Sequence, residues 1–148
     1  MGRGSRKAQP FSIRLRTEDD RFVKEEAQRL QRSRGTLVEA YASEAIRTRR
    51  YPGIAFRGDD YRRRAWVLGT GLDVWEIVAL LRDFGSEAEL AKEHGLALGR
   101  IRIALAYYNE FGDEIDDLIA RGRRSEEDVL ARYPFIQTFE DTVAGGGQ

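Results

Sequence analysis

Hydrophobic and polar positions alternate strictly over Phe11-Ser12-Ile13-Arg14-Leu15-Arg16. A period of two puts Phe11, Ile13 and Leu15 on one face and Ser12, Arg14 and Arg16 on the other. The pattern predicts a β-strand with one apolar and one cationic side. Thr17-Glu18-Asp19-Asp20 then reads as a capping-box-like helix start with acids in its first turn. The helix that follows carries Phe22, Val23, Ala27 and Leu30 on one stripe. The break Ser33-Arg34-Gly35-Thr36 offers Ser33 as the N-cap of a second helix. There Leu37, Val38, Tyr41, Ala42, Ala45 and Ile46 share a face, Arg47-Thr48-Arg49-Arg50 closes the run, and Tyr51-Pro52-Gly53 stops it.

The pattern changes after Gly53. Ile54–Arg57 and Arg64–Leu68 flank the turn signal Gly58-Asp59-Asp60 and predict a small hairpin carrying Arg62-Arg63-Arg64. Those arginines suit contact with DNA or an acidic surface, or equally a charged edge that deters aggregation. Gly69-Thr70-Gly71 lacks the third glycine and the Gly-Lys-Ser/Thr of nucleotide-binding loops, so it reads as a turn into a helix capped by Asp73. That helix, Val74 to Arg82, turns Val74, Ile77, Val78 and Leu81 inward with Trp75 on the flank. Ser86 and Glu89 stand in a capping-box relation at the start of another, which ends at His94 and Gly95. A third begins near Leu98 and uses Ile101, Ala104, Leu105 and Tyr108. Helix, glycine-bounded turn and helix have the outline of a helix-turn-helix. Arg121-Gly122-Arg123-Arg124 reads as a flexible basic connector. Ser125-Glu126-Glu127-Asp128 then caps a short helix with Val129 and Leu130 that ends before Pro134. Tyr133, Phe135, Ile136 and Phe139 leave apolar surface that either folds back or docks on a partner. Val143–Gln148 is expected to be disordered.

One strand and two helices over some forty residues cannot bury a sufficient core alone. A twofold dimer resolves this: each strand pairs antiparallel with its copy over four helices. Ser12, Arg14 and Arg16 of both chains would then face outward on a ribbon that fits the DNA major groove, where Arg binds guanine bidentately. The amides at Ser33, Arg34, Gly35 and Thr36 would suit a DNA phosphate.

Charge supports a division of labour. The 148 residues carry no net charge, yet residues 1–66 hold 17 Lys/Arg against 9 Asp/Glu, and residues 67–148 reverse the balance, 8 against 16. The basic half suits phosphates; the acidic half suits a basic protein or water. Arg3, Arg6 and Lys7 of the leader would add non-specific phosphate contacts. Asp113, Glu114, Asp116 and Asp117 follow Arg100 and Arg102 closely enough to repel a phosphate backbone. They favour protein contact in this helix, and are too closely packed for a metal site. His94, the single histidine, reads as a helix-end cap aid. No set of nucleophile, base and orienter is visible, so an enzyme is not expected, nor a cofactor or metal. The chain contains no cysteine and no apolar run of membrane-spanning length. A cytoplasmic protein with no membrane contact is the expectation.

Two resemblances sharpen this reading. Residues 10–50, through Phe11-Ser12-Ile13-Arg14-Leu15-Arg16 and the break at Arg32–Thr36, resemble the ribbon-helix-helix family of bacterial repressors. That resemblance implies base reading by Ser12, Arg14 and Arg16 and phosphate contact at the start of the second helix. Residues 51–120 resemble a bacterial domain of unknown function, number 433 of its series, found in VapB-type antitoxins. Three blocks carry it: Tyr51–Gly58, Gly69–Val78 and Ile101–Tyr108. It implies a helical domain with a regulatory role beside a PIN-like toxin.

The expected fold is mainly α: a flexible leader (1–9), a dimeric ribbon-helix-helix unit (10–50), a hairpin with a helix-turn-helix-like domain (51–120), and a tail (121–148). The expected function is the antitoxin of a type II toxin–antitoxin system, a homodimeric autorepressor of a double-stranded operator that neutralises a PIN-like ribonuclease. The alternative is a stand-alone ribbon-helix-helix repressor. By the antitoxin resemblance, Arg124, Arg132, Tyr133 and Phe135 are the candidates for the toxin contact.

Overall fold

A computed structural model describes residues 7–133. Within them the chain is mainly helical, with five helices and one small two-stranded sheet. Helix α1 spans Thr17–Leu30 and α2 spans Arg34–Arg50. Strands β1 (Ile54–Arg57) and β2 (Arg64–Val67) pair antiparallel with Ile54 opposite Val67 and Arg57 opposite Arg64. Helices α3 (Val74–Phe84), α4 (Glu87–His94) and α5 (Leu98–Arg132) complete the order.

The ends of these helices follow from local chemistry. The Ser33 hydroxyl accepts the Thr36 amide at 3.1 Å and starts α2 as its spacing predicts. Asp73 and Glu76 form a reciprocal capping box on α3. The Ser86 hydroxyl accepts the Glu89 amide at the head of α4. Gly85 and Gly95 close α3 and α4 in the left-handed region, at φ 79° and 63°, where a side chain is strained. The start of α1 differs from expectation. Arg16 is the N-cap, no side chain caps the helix, and Thr17 is already helical. The acids Glu18, Asp19 and Asp20 serve the helix dipole there without a hydroxyl cap.

The core lies in the C-terminal half. Ile54 and Val67 of the hairpin, Ile77 of α3, Leu90 of α4 and Ile101 and Ile115 of α5 are fully buried members of one cluster. On α5, Tyr107 is fully buried, while Leu105 and Tyr108 are half-buried. The α1–α2 pair contributes only Val23 and Leu37 to the buried set. Phe22 and Ile46, both expected on inward faces, are exposed.

Two expectations for the tail are overturned. Residues 121–124 are not a flexible connector, and Ser125 caps no separate helix: α5 continues through both and ends at Arg132. The α3 ring of Trp75 packs on Gly122 and anchors the helix where a connector was expected. The one irregular point in α5 is Phe111 (φ −113°, ψ 35°), where its axis kinks. The strand expected over Phe11–Arg16 is not formed in the single chain: residues 7–16 adopt neither helix nor strand. A lone strand has no neighbour to take its backbone hydrogen bonds, so a single copy of the chain gives this segment no ladder. Arg3 and Arg6 of the leader, and Phe135, Ile136, Phe139 and Val143–Gln148 of the tail, lie outside the described residues.

Candidate nucleic-acid interface

The segment before α1 lies along α2. Phe11, Ile13 and Leu15 border a groove of about 1230 Å³ together with Val38, Ala42 and Ile46. Phe11 is 84% exposed, Ile13 56% and Ile46 55%, so an apolar strip on both elements faces water in a single copy. Ser12, Arg14 and Arg16 are exposed as well, and neither arginine has an ion-pair partner among the described residues. Arg14 also borders the groove, so the two sides of the segment are not as cleanly separated as strict alternation predicts.

Ser33, Arg34, Gly35 and Thr36 stand together at the head of α2. The Ser33 hydroxyl holds the Thr36 amide and lies 2.7 Å from the Thr36 hydroxyl. The amides of Arg34 and Gly35 belong to the first turn, where a helix offers no internal acceptor. A side chain at Gly35 would meet nothing within 4 Å, so this end is open. Arg34 is already paired with Asp20 of α1 at 2.7 Å.

Basic residues at the other end of α2 are used differently. Arg47 donates to both carboxylate oxygens of Glu114 (2.9 and 3.0 Å) and to the Tyr107 hydroxyl (2.7 Å). Its guanidinium also lies 3.9 Å from the centre of the Phe111 ring, at the kink. The Tyr107 hydroxyl in turn donates to Glu114 at 2.6 Å. Burial, reinforced by the Glu114 acceptor, pushes the Tyr107 phenol well above the usual tyrosine range. One turn on, Arg50 is bidentate to Glu110 at 2.7 Å for each bond, and the Tyr51 hydroxyl donates to the same carboxylate. Hydrogen bonds from Arg50 first, then Tyr51, hold the Glu110 carboxyl below the usual range. On the far side of α5, Arg82 pairs with Asp116 at 2.6 Å and holds that carboxyl down likewise.

These pairs revise the reading of the acidic run. All four acids are exposed, but Glu114 and Asp116 pair with arginines on α2 and α3, while Asp113 and Asp117 have no ion-pair partner among the described residues. Among the described residues no three His, Asp or Glu side chains converge as metal ligands would. His94 lies in the last turn of α4 and packs edge-on against Phe84, with ring centres 5.3 Å apart.

Sequence reasoning missed the Arg47, Arg50 and Tyr107 contacts. Its available signal was modest: Arg47 and Arg50 share a face of α2 by their spacing of three, as Glu110 and Glu114 do on α5 by their spacing of four. Nothing in the sequence sets the two faces together.

Asp73 has a second role that capping alone does not suggest. It is buried, with 3% exposure, and accepts Arg57 Nε (2.7 Å), Arg64 Nε (2.9 Å) and Trp75 Nε1 (3.2 Å). Both hairpin strands are therefore tied to the head of α3.

At the far end of α5, Arg124, Arg132 and Tyr133 line one shallow groove with Val129. Phe135, the fourth residue expected there, lies outside the described residues. No helix among the described residues is long and apolar enough to cross a membrane. No family model, curated protein or solved structure matches the chain.

Proposed function

We propose that the chain is a ribbon-helix-helix DNA-binding protein acting as the antitoxin of a type II toxin–antitoxin pair. Two copies zip residues 11–16 into an antiparallel ribbon, and Ser12, Arg14 and Arg16 read the major groove of a double-stranded operator. The first-turn amides at Ser33, Arg34, Gly35 and Thr36 receive a phosphate on each flank. The C-terminal half, with Arg124, Arg132, Tyr133 and Phe135 at its end, covers the acidic active site of a PIN-like ribonuclease. In this reading the protein works in the cytoplasm, without a cofactor, and catalyses nothing.

The observation that carries the DNA-binding part is the unfinished state of the N-terminal unit. Phe11, Ile13 and Ile46 form an uncovered apolar strip, and Arg14 and Arg16 beside it have no ion-pair partner among the described residues. A second copy covers the first feature, and nucleic acid uses the second. The antitoxin part rests on the family resemblance and on the exposed end of α5. The stand-alone repressor is the second reading. It is favoured by the Arg47–Glu114 and Arg50–Glu110 pairs, because they give the C-terminal half a job in buttressing α2 without any toxin.

Replacing Arg14 and Arg16 by Ala is expected to cost about 1–3 kcal/mol of operator affinity per lost base contact in a gel-shift titration. Unchanged binding removes the ribbon from the reading. Co-expression with the adjacent reading frame separates the two readings. An antitoxin yields a copurifying complex and rescues growth, whereas a stand-alone repressor does neither.

A further inference from the structure

The three consecutive arginines of the hairpin divide by what they touch. Arg63 grips Glu44 of α2 with bonds of 2.7 and 3.0 Å, and Arg64 is held by Asp73. Arg62 has no ion-pair partner among the described residues. Its guanidinium lies over the ring of Tyr61, 5.4 Å from the ring centre. Arg32, in the turn between α1 and α2, lies over the same ring at 5.0 Å. Two cations that are 30 positions apart in sequence are thus gathered on one aromatic side chain.

Their location gives the pair meaning. Arg32 directly precedes the Ser33 cap, and its amide donates to the Ala27 carbonyl at 3.0 Å, which pins the turn. Arg62 and Tyr61 line one groove with Thr36 of the first turn of α2, the turn in which the amides of Arg34 and Gly35 have no acceptor within the helix. Of the nearby carboxylates, Glu39 lines one groove with Arg62 and has no ion-pair partner among the described residues, while three others face different groups. Asp60 accepts the Tyr61 amide at 2.7 Å, Asp59 lies close enough to Arg29 to favour that residue's charge, and Asp20 is paired with Arg34 and Lys24. A guanidinium resting on a ring keeps its N–H edge for an oxyanion and has already lost part of its rotamer freedom.

We propose that Arg32 and Arg62, gathered on Tyr61, form a second phosphate contact for duplex DNA, continuing the one at the α2 N-terminus. The inference rests on the DNA-binding reading above and extends it: the hairpin of the C-terminal half joins the DNA interface, and the footprint runs past the ribbon along the backbone. The contact adds affinity and salt dependence but no sequence preference, since phosphates are common to all sequences.

The test compares two duplexes from upstream of the chain's own reading frame. One ends at the ribbon's half-sites; the other adds about one helical turn, roughly 10 base pairs, on each side. Each neutralised phosphate contributes about 0.9 to the slope of log affinity against log salt. Arg62→Ala in a dimer removes two contacts, so the slope on the long duplex falls by about 2. Arg62→Lys restores most of it, Tyr61→Ala loses part, and on the short duplex Arg62→Ala and the parent protein converge. Arg62 is exposed, so the thermal melt of Arg62→Ala stays that of the parent.

If the parent binds the long duplex and Arg62→Ala keeps its slope, this inference falls while the ribbon reading stands. If the parent binds neither duplex, both fall. If Arg62→Ala loses a copurifying protein while its DNA slope is unchanged, the patch serves a protein, and the inference is wrong.

Discussion

Asp73 shows how much one carboxylate can organise. As an N-cap it needs only the first turn of α3, and that role is readable from its place after Gly69-Thr70-Gly71 and three residues before Glu76. Its bonds to Arg57, Arg64 and Trp75 are not readable, because they depend on the hairpin folding back over the head of the helix. Asp73→Ala removes a cap worth about 1 kcal/mol and the acceptor of two guanidiniums that stay partly in water. A loss of about 2–3 kcal/mol is expected in urea unfolding. Asp73→Asn, which still caps, should lose less than half of that. A loss within about 0.5 kcal/mol for the alanine variant would mean that water replaces Asp73 without cost.

Among the elements, the helices were legible wherever capping chemistry and an apolar stripe agreed. That agreement holds for α2, α3 and α4, whose starts at Ser33, Asp73 and Ser86 match their spacing. It fails in α5. There Gly122 and the Ser125-Glu126-Glu127-Asp128 run carry the local marks of a break and a new cap, yet the helix continues through both. Helix propensity at a single glycine is weak, about 1 kcal/mol, and a packing contact overrides it. The contact is Trp75: a Cβ at Gly122 would stand 3.0 Å from two of its ring carbons. Gly122→Ala therefore sets a small gain in helix propensity against a tight contact, and its stability should stay close to the parent's. Gly122→Val adds bulk that the ring cannot clear while its N–H remains on Asp73, and about 1–3 kcal/mol should be lost in thermal unfolding. A valine variant as stable as the parent would show that the Trp75 ring yields freely.

For the molecule as a whole, the uneven core is the central fact. The C-terminal half closes around its own buried cluster, while the α1–α2 pair buries only Val23 and Leu37 and leaves Phe11, Ile13 and Ile46 in water. If a second copy covers that strip, the parent protein sediments as a dimer. Ile46→Glu should then weaken dimerisation by about a hundredfold or more, because burying one Ile stabilises by about 1.5–3 kcal/mol and twofold symmetry counts it twice. Sedimentation equilibrium reads this directly; a monomeric parent, or a variant that dimerises as tightly, would refute the twofold ribbon.

Local order was written in the chain itself. Helical periodicity and capping residues act over a few neighbours, so the order of α1 to α4, the hairpin between them and three of the helix starts could be read without coordinates, whereas the strand that alternation predicts over 11–16 and the separate helix after Ser125 are not in the structure. The pairings of Arg47 with Glu114, Arg50 with Glu110 and Arg62 with the ring that also holds Arg32 could not. They join positions that packing alone brings into reach, and a charged side chain meets many equivalent partners until the fold selects one.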